Sequence, residues 1–182
     1  QKRFQLQPLA AIDISNSQFE QYYIITKKRN LRTLQSLKGK FLSGNILYED
    51  RQFINKIIFN SKVNIKTYFK LKPTSRPLRA LRKVKRDKLD AVILNRMQYL
   101  SLKKFSWFKQ LHVAFKSKPI PTLGLMMRNT KANNKVKSKI VNTVTKMCST
   151  SQGASVCKNF GIKGFRITFY YRFIHLLKKY GK

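Results

Sequence analysis

After Asp90 the remaining half of this chain contains neither Asp nor Glu. Six acids (Asp13, Glu20, Glu49, Asp50, Asp87 and Asp90) stand against 40 Lys and Arg, a formal net charge of +34 at pH 7. No other feature limits the fold as strongly. Charge of one sign opposes compaction through self-repulsion and calls for a polyanionic partner. Lysines and arginines beyond Asp90 have no carboxylate of their own segment to pair with, which leaves phosphates to neutralise them. The alternative, a solvated basic face, normally mixes both signs. Yet 42% of the residues are hydrophobic and 12% aromatic, enough to bury cores and too much for a disordered basic tail. A folded chain this basic points to nucleic acid.

The 182 residues suit one large domain or two small ones. Residues 1–29 are uneven, with Leu6–Ile12 apolar and then Phe19, Tyr22, Tyr23, Ile24 and Ile25, a mixture of helix and strand. Leu31, Leu34, Leu37 and Phe41 recur at helical spacing, which predicts a helix capped by Asn30 and ended by Gly44. Phe53–Phe59 and the alternating stretch from Val63 to Leu71 predict two strands turned at Asn60-Ser61-Lys62. Pro73-Thr74-Ser75-Arg76-Pro77 breaks the chain. The expected division is an N-terminal α+β subdomain (1–72), built as a helix plus β-hairpin, and a C-terminal subdomain (73–182).

In the second half, Asp87 and Asp90 look like a helix start, with Leu89, Val92, Ile93, Met97 and Leu100 as its apolar stripe. Phe105, Trp107, Phe108 and Phe115 interleave with Lys103, Lys104, Lys109, Lys116 and Lys118. Such rings either stack on bases beside phosphate-binding lysines or form a core with a basic outer face. Lys131, Asn133, Asn134, Lys135, Lys137 and Lys139 read as a solvated or RNA-facing arm. Phe165, Ile167, Phe169, Tyr171 and Phe173 alternate with Arg166, Thr168, Tyr170 and Arg172, predicting a terminal strand in a mostly antiparallel unit with a short helix.

Catalysis has little to work with: no P-loop, no dinucleotide glycine pattern, two histidines, and no carboxylate after Asp90. Cys148 and Cys157 lie nine apart, which is no metal spacing, and free thiols are expected; with His112 and His175 they make no convincing ligand set. Neither a metal nor another cofactor is expected. Charges interrupt every apolar run before the length of a membrane span, and the basic residues are not gathered on one amphipathic helix, so no membrane partner is expected. The chain starts at Gln1 rather than Met, and an initial segment missing or removed is the expectation.

Two segments carry a family likeness. One is Leu71-Lys72-Pro73-Thr74-Ser75-Arg76-Pro77-Leu78-Arg79 with Lys85-Arg86-Asp87-Lys88-Leu89; the other is Ser149-Thr150-Ser151-Gln152-Gly153 with Gly161-Ile162-Lys163-Gly164 and the final strand. In this order they resemble the S-eight family of small-subunit ribosomal proteins. The two loops lie farther apart than in that family, marking about 95–143 as a large basic insertion. Gln152 stands where the family has Lys, and Phe165 where it has Glu. The resemblance implies a structural ribosomal protein that binds a central-domain helix of small-subunit rRNA and supports platform assembly, with neighbouring ribosomal proteins as partners and no small-molecule substrate. It assigns RNA contacts to Ser75, Arg76, Pro77, Arg79, Ser149, Thr150, Ser151, Gly153, Lys163 and Arg166. The serine loop can equally be a polar turn capping a helix. Heavy use of Lys, Asn, Ile and Phe, as in AT-rich coding sequence, suggests a mitochondrial ribosome. A free-standing RNA- or DNA-binding protein is the alternative, as is the S-three ribosomal family, which Gly161–Phe173 also resembles.

Overall fold

The computed structural model describes residues 6–14, 17–122, 124–128 and 134–181; Gln1, and Lys131 and Asn133 of the expected basic arm, lie outside these. The strands in chain order are β1 Leu6–Ile14, β2 Phe19–Glu20, β3 Tyr22–Thr26, β4 Phe41–Gly44, β5 Lys70–Pro73, β6 Ala91–Asn95, β7 His112–Lys116, β8 Ile120–Pro121, β9 Gly124–Arg128 and β10 Ile162–Ile167. The helices are α1 Arg51–Phe53, α2 Ile65–Tyr68, α3 Pro77–Lys85, α4 Arg96–Lys103, α5 Asn134–Lys146, α6 Ser151–Asn159 and α7 Tyr171–Gly181. The chain is thus of mixed α+β class. It forms two compact units, one of Gln1–Glu20 and Ile120–Lys178, the other of Gln21–Pro119 and Lys179–Lys182. Pro73–Pro77 lies inside the second unit.

The second unit is built on a five-stranded sheet ordered β5-β4-β6-β3-β7. β4 is parallel to both β5 and β6, while β3 runs antiparallel to β6 and β7. Ile24 and Ile25 on β3 and Val92, Ile93 and Leu94 on β6 are fully buried. Strands covered on both faces read as continuous apolar runs rather than alternating ones. One face packs Tyr23, Ile25, Val92 and Leu94 against Ala80, Leu81 and Val84 of α3 and against Leu102, Phe108 and Leu111. Trp107 and Tyr99 pack against the same cluster, so these rings belong to the core. Phe115 stacks on the buried Phe59 with centroids 5.0 Å apart. Tyr180, at the end of α7, donates its hydroxyl to Asp50; that bond holds the carboxyl below the usual aspartate range and pushes the phenol up.

Several expected elements are replaced by others, for local reasons. The helix expected over 31–41 shrinks to a 3-10 turn at Gln35–Leu37, and Phe41 enters β4. Thr33 and Ser36 exchange hydroxyl and backbone bonds that compete with helix, and Gly39, at φ 72°, ends it. The expected strand over 53–59 is helical. Asp50 caps α1 by accepting from Gln52 N at 2.9 Å, and Ile54, Ile57 and Ile58 fall on one buried face of the π turn that follows. Asn64 caps α2 by accepting from Lys66 N, leaving only Lys70–Pro73 of the second expected strand. The helix expected from Asp87 begins instead as β6, and only its later stripe residues Met97 and Leu100 are helical, in α4: Asp90 accepts from Phe41 N at 3.0 Å instead of capping its own segment.

The first unit carries a three-stranded antiparallel sheet, β10-β1-β9, and the β2–β8 pair. Leu9, Ala10 and Ala11 of β1 are buried. Small residues there admit close neighbours: a Cβ on Gly124 would lie 2.2 Å from Ala10 O. The expected terminal strand ends early. Beyond Ile167, Thr168 N still donates to Leu9 O, and then Arg172 N and Phe173 N turn back onto Phe169 O and Tyr170 O to open α7. Arg172 is held there by Gln18 and lies over the Phe19 ring at 4.9 Å.

The expected free thiols are instead a disulfide, Cys148–Cys157, with Cα atoms 5.6 Å apart. The intervening loop folds into the first two turns of α6, which brings the two half-cystines within bonding reach. Closing a loop of nine residues' separation restricts the unfolded chain by about 2–3 kcal/mol. A reduced and alkylated sample is therefore expected to unfold earlier in urea by that amount, with the loss confined to probes in the first unit; equal stability of both forms would show that strain cancels the entropic gain.

Candidate functional site

Parallel strands place their carboxyl ends on one edge of a sheet, where open α/β sheets bind ligands. In the second unit that edge is formed by the ends of β4, β5 and β6. Gly44 closes β4 and the exposed Asn45 follows it; Thr74, Ser75 and Arg76 follow β5; Asn95 closes β6. The loops are tied together. Thr74 N donates to Gly44 O at 3.2 Å, and Ser43 Oγ donates to Lys72 O at 2.6 Å. Arg76 N donates to Thr74 Oγ1 at 3.2 Å, which turns the chain into α3. Asn95 caps α4, accepting from Gln98 N at 2.9 Å while its own N donates to Gln98 Oε1 at 3.1 Å.

Helix α3 begins differently. Pro77 sits in its first turn and no side chain caps it. Its leading N–H groups and the positive end of its dipole are thus open to an anion. Ser75 and Arg76, both exposed, stand immediately before it and supply a hydroxyl and a guanidinium. The acids Asp87 and Asp90 lie at the opposite edge, where β6 begins, paired with Lys27 at 2.5 Å and Lys28 at 3.3 Å. Asp50 is engaged by Tyr180 and Gln52. The edge that carries Arg76 thus offers a guanidinium, a hydroxyl and helix N–H groups to an anion, with the exposed Glu49 on the segment after β4.

The residues singled out from sequence fall into separate places. Ser75, Arg76, Pro77 and Arg79 are all in the second unit, at the start of α3. Ser149, Thr150, Ser151, Gly153, Lys163 and Arg166 are in the first. There Thr150 caps α6, accepting from Gly153 N at 3.0 Å and donating to Met147 O at 2.9 Å. A Cβ on Gly153 would meet Met147 O at 1.9 Å. Within the serine segment Thr150 is therefore the helix cap, while Ser149 and Ser151 are exposed. Arg166 bonds the buried Asp13 at 3.0 Å, and Lys163 is exposed on β10. Gly44, Asn45, Thr74 and Asn95 were not among the expected site residues. The capping pattern of Asn95 with Gln98 and the strand-to-helix change at Pro73–Pro77 are the signals that point to them.

A family model described as the phosphonate periplasmic substrate-binding protein of ABC transporters matches residues 1–169. Nothing among curated proteins matches. Among solved structures, a Xanthomonas citri protein bound to ATP superposes with a TM-score of 0.74 at 12% identity, over 97% of this chain and 70% of that one. A binding protein component of an ABC phosphonate transporter from Pseudomonas aeruginosa gives 0.65 at 16% identity, over 96% and 61%. PhnD1 from Prochlorococcus marinus, in complex with methylphosphonate, gives 0.61 at 14% identity, over 96% and 70%.

These findings overturn the ribosomal reading. The S-eight likeness, its S-three and free-standing nucleic-acid alternatives, the rRNA and ribosomal partners, the lack of a small-molecule substrate and the mitochondrial location all fall with the family match. The short motifs misled because Ser-Thr-Ser-Gln-Gly and Pro-Thr-Ser-Arg-Pro serve as helix starts here, a task that many folds share. The net charge misled because it reports the sign of a partner, not its size. The exclusion of catalysis stands, since proteins of this kind bind their substrate without transforming it.

Proposed function

This chain belongs to the phosphonate periplasmic substrate-binding family of ABC transporters, and on that premise we propose that it binds a phosphonate-type oxyanion at the carboxyl edge of the second unit's sheet. The uncapped start of α3 beside Ser75 and Arg76 carries this reading. The backbone N–H groups of α3 meet the oxyanion, Arg76 supplies the charge-assisted bonds, and the hydroxyls of Ser75 and Thr74 set orientation. Pro77 and Arg79 act through the helix, the first by fixing its opening turn and the second by adding positive field. Thr150 caps α6 through Gly153 N, and Arg166 with Asp13 stabilises the first unit. Delivery to a transporter permease and a periplasmic location complete the proposal; the chain spans 61% to 70% of the similar solved chains.

Calorimetric titration with methylphosphonate tests it. Arg76→Ala is expected to weaken binding about ten- to hundredfold, because a charge-assisted hydrogen bond contributes roughly 1.5–3 kcal/mol. Its side chain does not cap α3, so thermal stability should hardly move. Unchanged affinity in Arg76→Ala, with loss in a Ser149→Ala, Ser151→Ala variant, would move the site to the first unit.

A further inference from the structure

The disulfide of the first unit is not sealed in the core. Cys148 and Cys157 line a surface depression of about 210 Å³ together with Ala154, Lys158, Gly161, Ile162 and Lys163. The two half-cystines differ in access: Cys157 is 2% exposed, whereas Cys148 is half-buried. Lys158 and Lys163, both exposed, flank the opening with positive charge. Little opposes that field, because the unit's acids are Asp13, buried against Arg166, and Glu20. A disulfide lining a cationic depression, with one half-cystine partly exposed and the other covered, is arranged for attack by an anionic thiol from one side.

We propose that Cys148 is a site of thiol–disulfide exchange with small anionic thiols, selected by Lys158 and Lys163. The entering thiolate forms a bond to Cys148 Sγ as the Cys148–Cys157 bond breaks. The electron pair of that bond leaves with Cys157 Sγ as a thiolate, so one external thiol is oxidised to a mixed disulfide and Cys157 is reduced. Neighbouring Lys158 stabilises the departing thiolate, since a nearby cation lowers a thiol's pKa and makes it a better leaving group. Attack by Cys157 on the mixed disulfide, or by a second thiol, reverses or completes the reduction. The consequence is local: α6 loses the tether that joins its last turn to the segment before its cap. The proposal does not depend on where the oxyanion binds.

The intact protein is incubated with reduced glutathione, whose net charge is negative, or with the cationic thiol cysteamine, then quenched with iodoacetamide and mapped by mass spectrometry. The expected product carries one glutathionyl group on Cys148 and an alkylated Cys157. The double variant Lys158→Gln, Lys163→Gln keeps both cysteines and changes exposed side chains alone. It should slow the glutathione reaction about tenfold while leaving or raising the cysteamine rate, and added salt should erase the difference, as expected for electrostatic steering. Modification at Cys157, no adduct on either cysteine, or an unchanged ratio of the two rates in the double variant would each overturn the proposal.

Discussion

Ile93→Ala is expected to lower the unfolding free energy of the second unit by about 2–5 kcal/mol, the range for emptying a buried aliphatic site. Ile93 is fully buried at the middle of β6, a strand with neighbours on both sides, and its register partner on β3 is the equally buried Ile24. Strands held on both edges collapse poorly into a cavity. A domain with roughly 5–15 kcal/mol of total stability would lose a large share. Trp107, the single tryptophan, packs on this unit's core and reports its unfolding by fluorescence. Ile93→Val, which removes one methylene, should cost about 0.5–1.5 kcal/mol. Equal midpoints for the two variants in urea would show that this face of the sheet is loosely packed.

Gly44→Ala is expected to abolish methylphosphonate binding while destabilising the second unit by about 1–3 kcal/mol, the usual scale of overpacking. A Cβ there would lie 2.6 Å from both Ile93 Cγ2 and Ile93 O. The side chain could rotate away, but the carbonyl belongs to β6 and cannot move without disturbing its ladder to β3. The strain is relieved instead by shifting the end of β4, and with it the Thr74 N–Gly44 O bond that positions the start of α3. Pairing with Ile93→Val removes only the distant Cδ1 and leaves both the Cγ2 and the carbonyl clash in place, so the double variant should recover little. Full affinity in Gly44→Ala would place the oxyanion away from this edge.

What the sequence discloses here depends on range. Capping residues act within four positions, and Asn95 with Gln98 could be read directly. Ile54, Ile57 and Ile58 carry helical spacing, yet their β-branched character suggests strand and hides the period. Val92, Ile93 and Leu94 raise the opposite difficulty, since a strand buried on both faces has no alternation and can be mistaken for a helix stripe. Ser75 and Arg76 were found as a polar break in the chain, which is what a ligand loop and a nucleic-acid loop have in common. The pairing of β1 with β9 and β10 has no local signature, so the division into Gln1–Glu20 with Ile120–Lys178 lay beyond reach. The disulfide was missed because two cysteines nine apart say nothing of the turn that folds between them.

The discontinuous makeup of the first unit also bears on synthesis. Apart from its last four residues, the second unit is one uninterrupted stretch, Gln21–Pro119, and can condense while the rest of the chain is still being made. β1 is made before this stretch but has no partner until β9 and β10 follow it. Until then its apolar run, Leu9 to Ile12, presents two open strand edges, the kind of template that recruits other chains. Closing so long a loop is slow, because its entropy is lost before the strand contacts form. β1 therefore waits unpaired while the whole of Gln21–Pro119 is made, and a holdase that covers it would protect the step most exposed to aggregation.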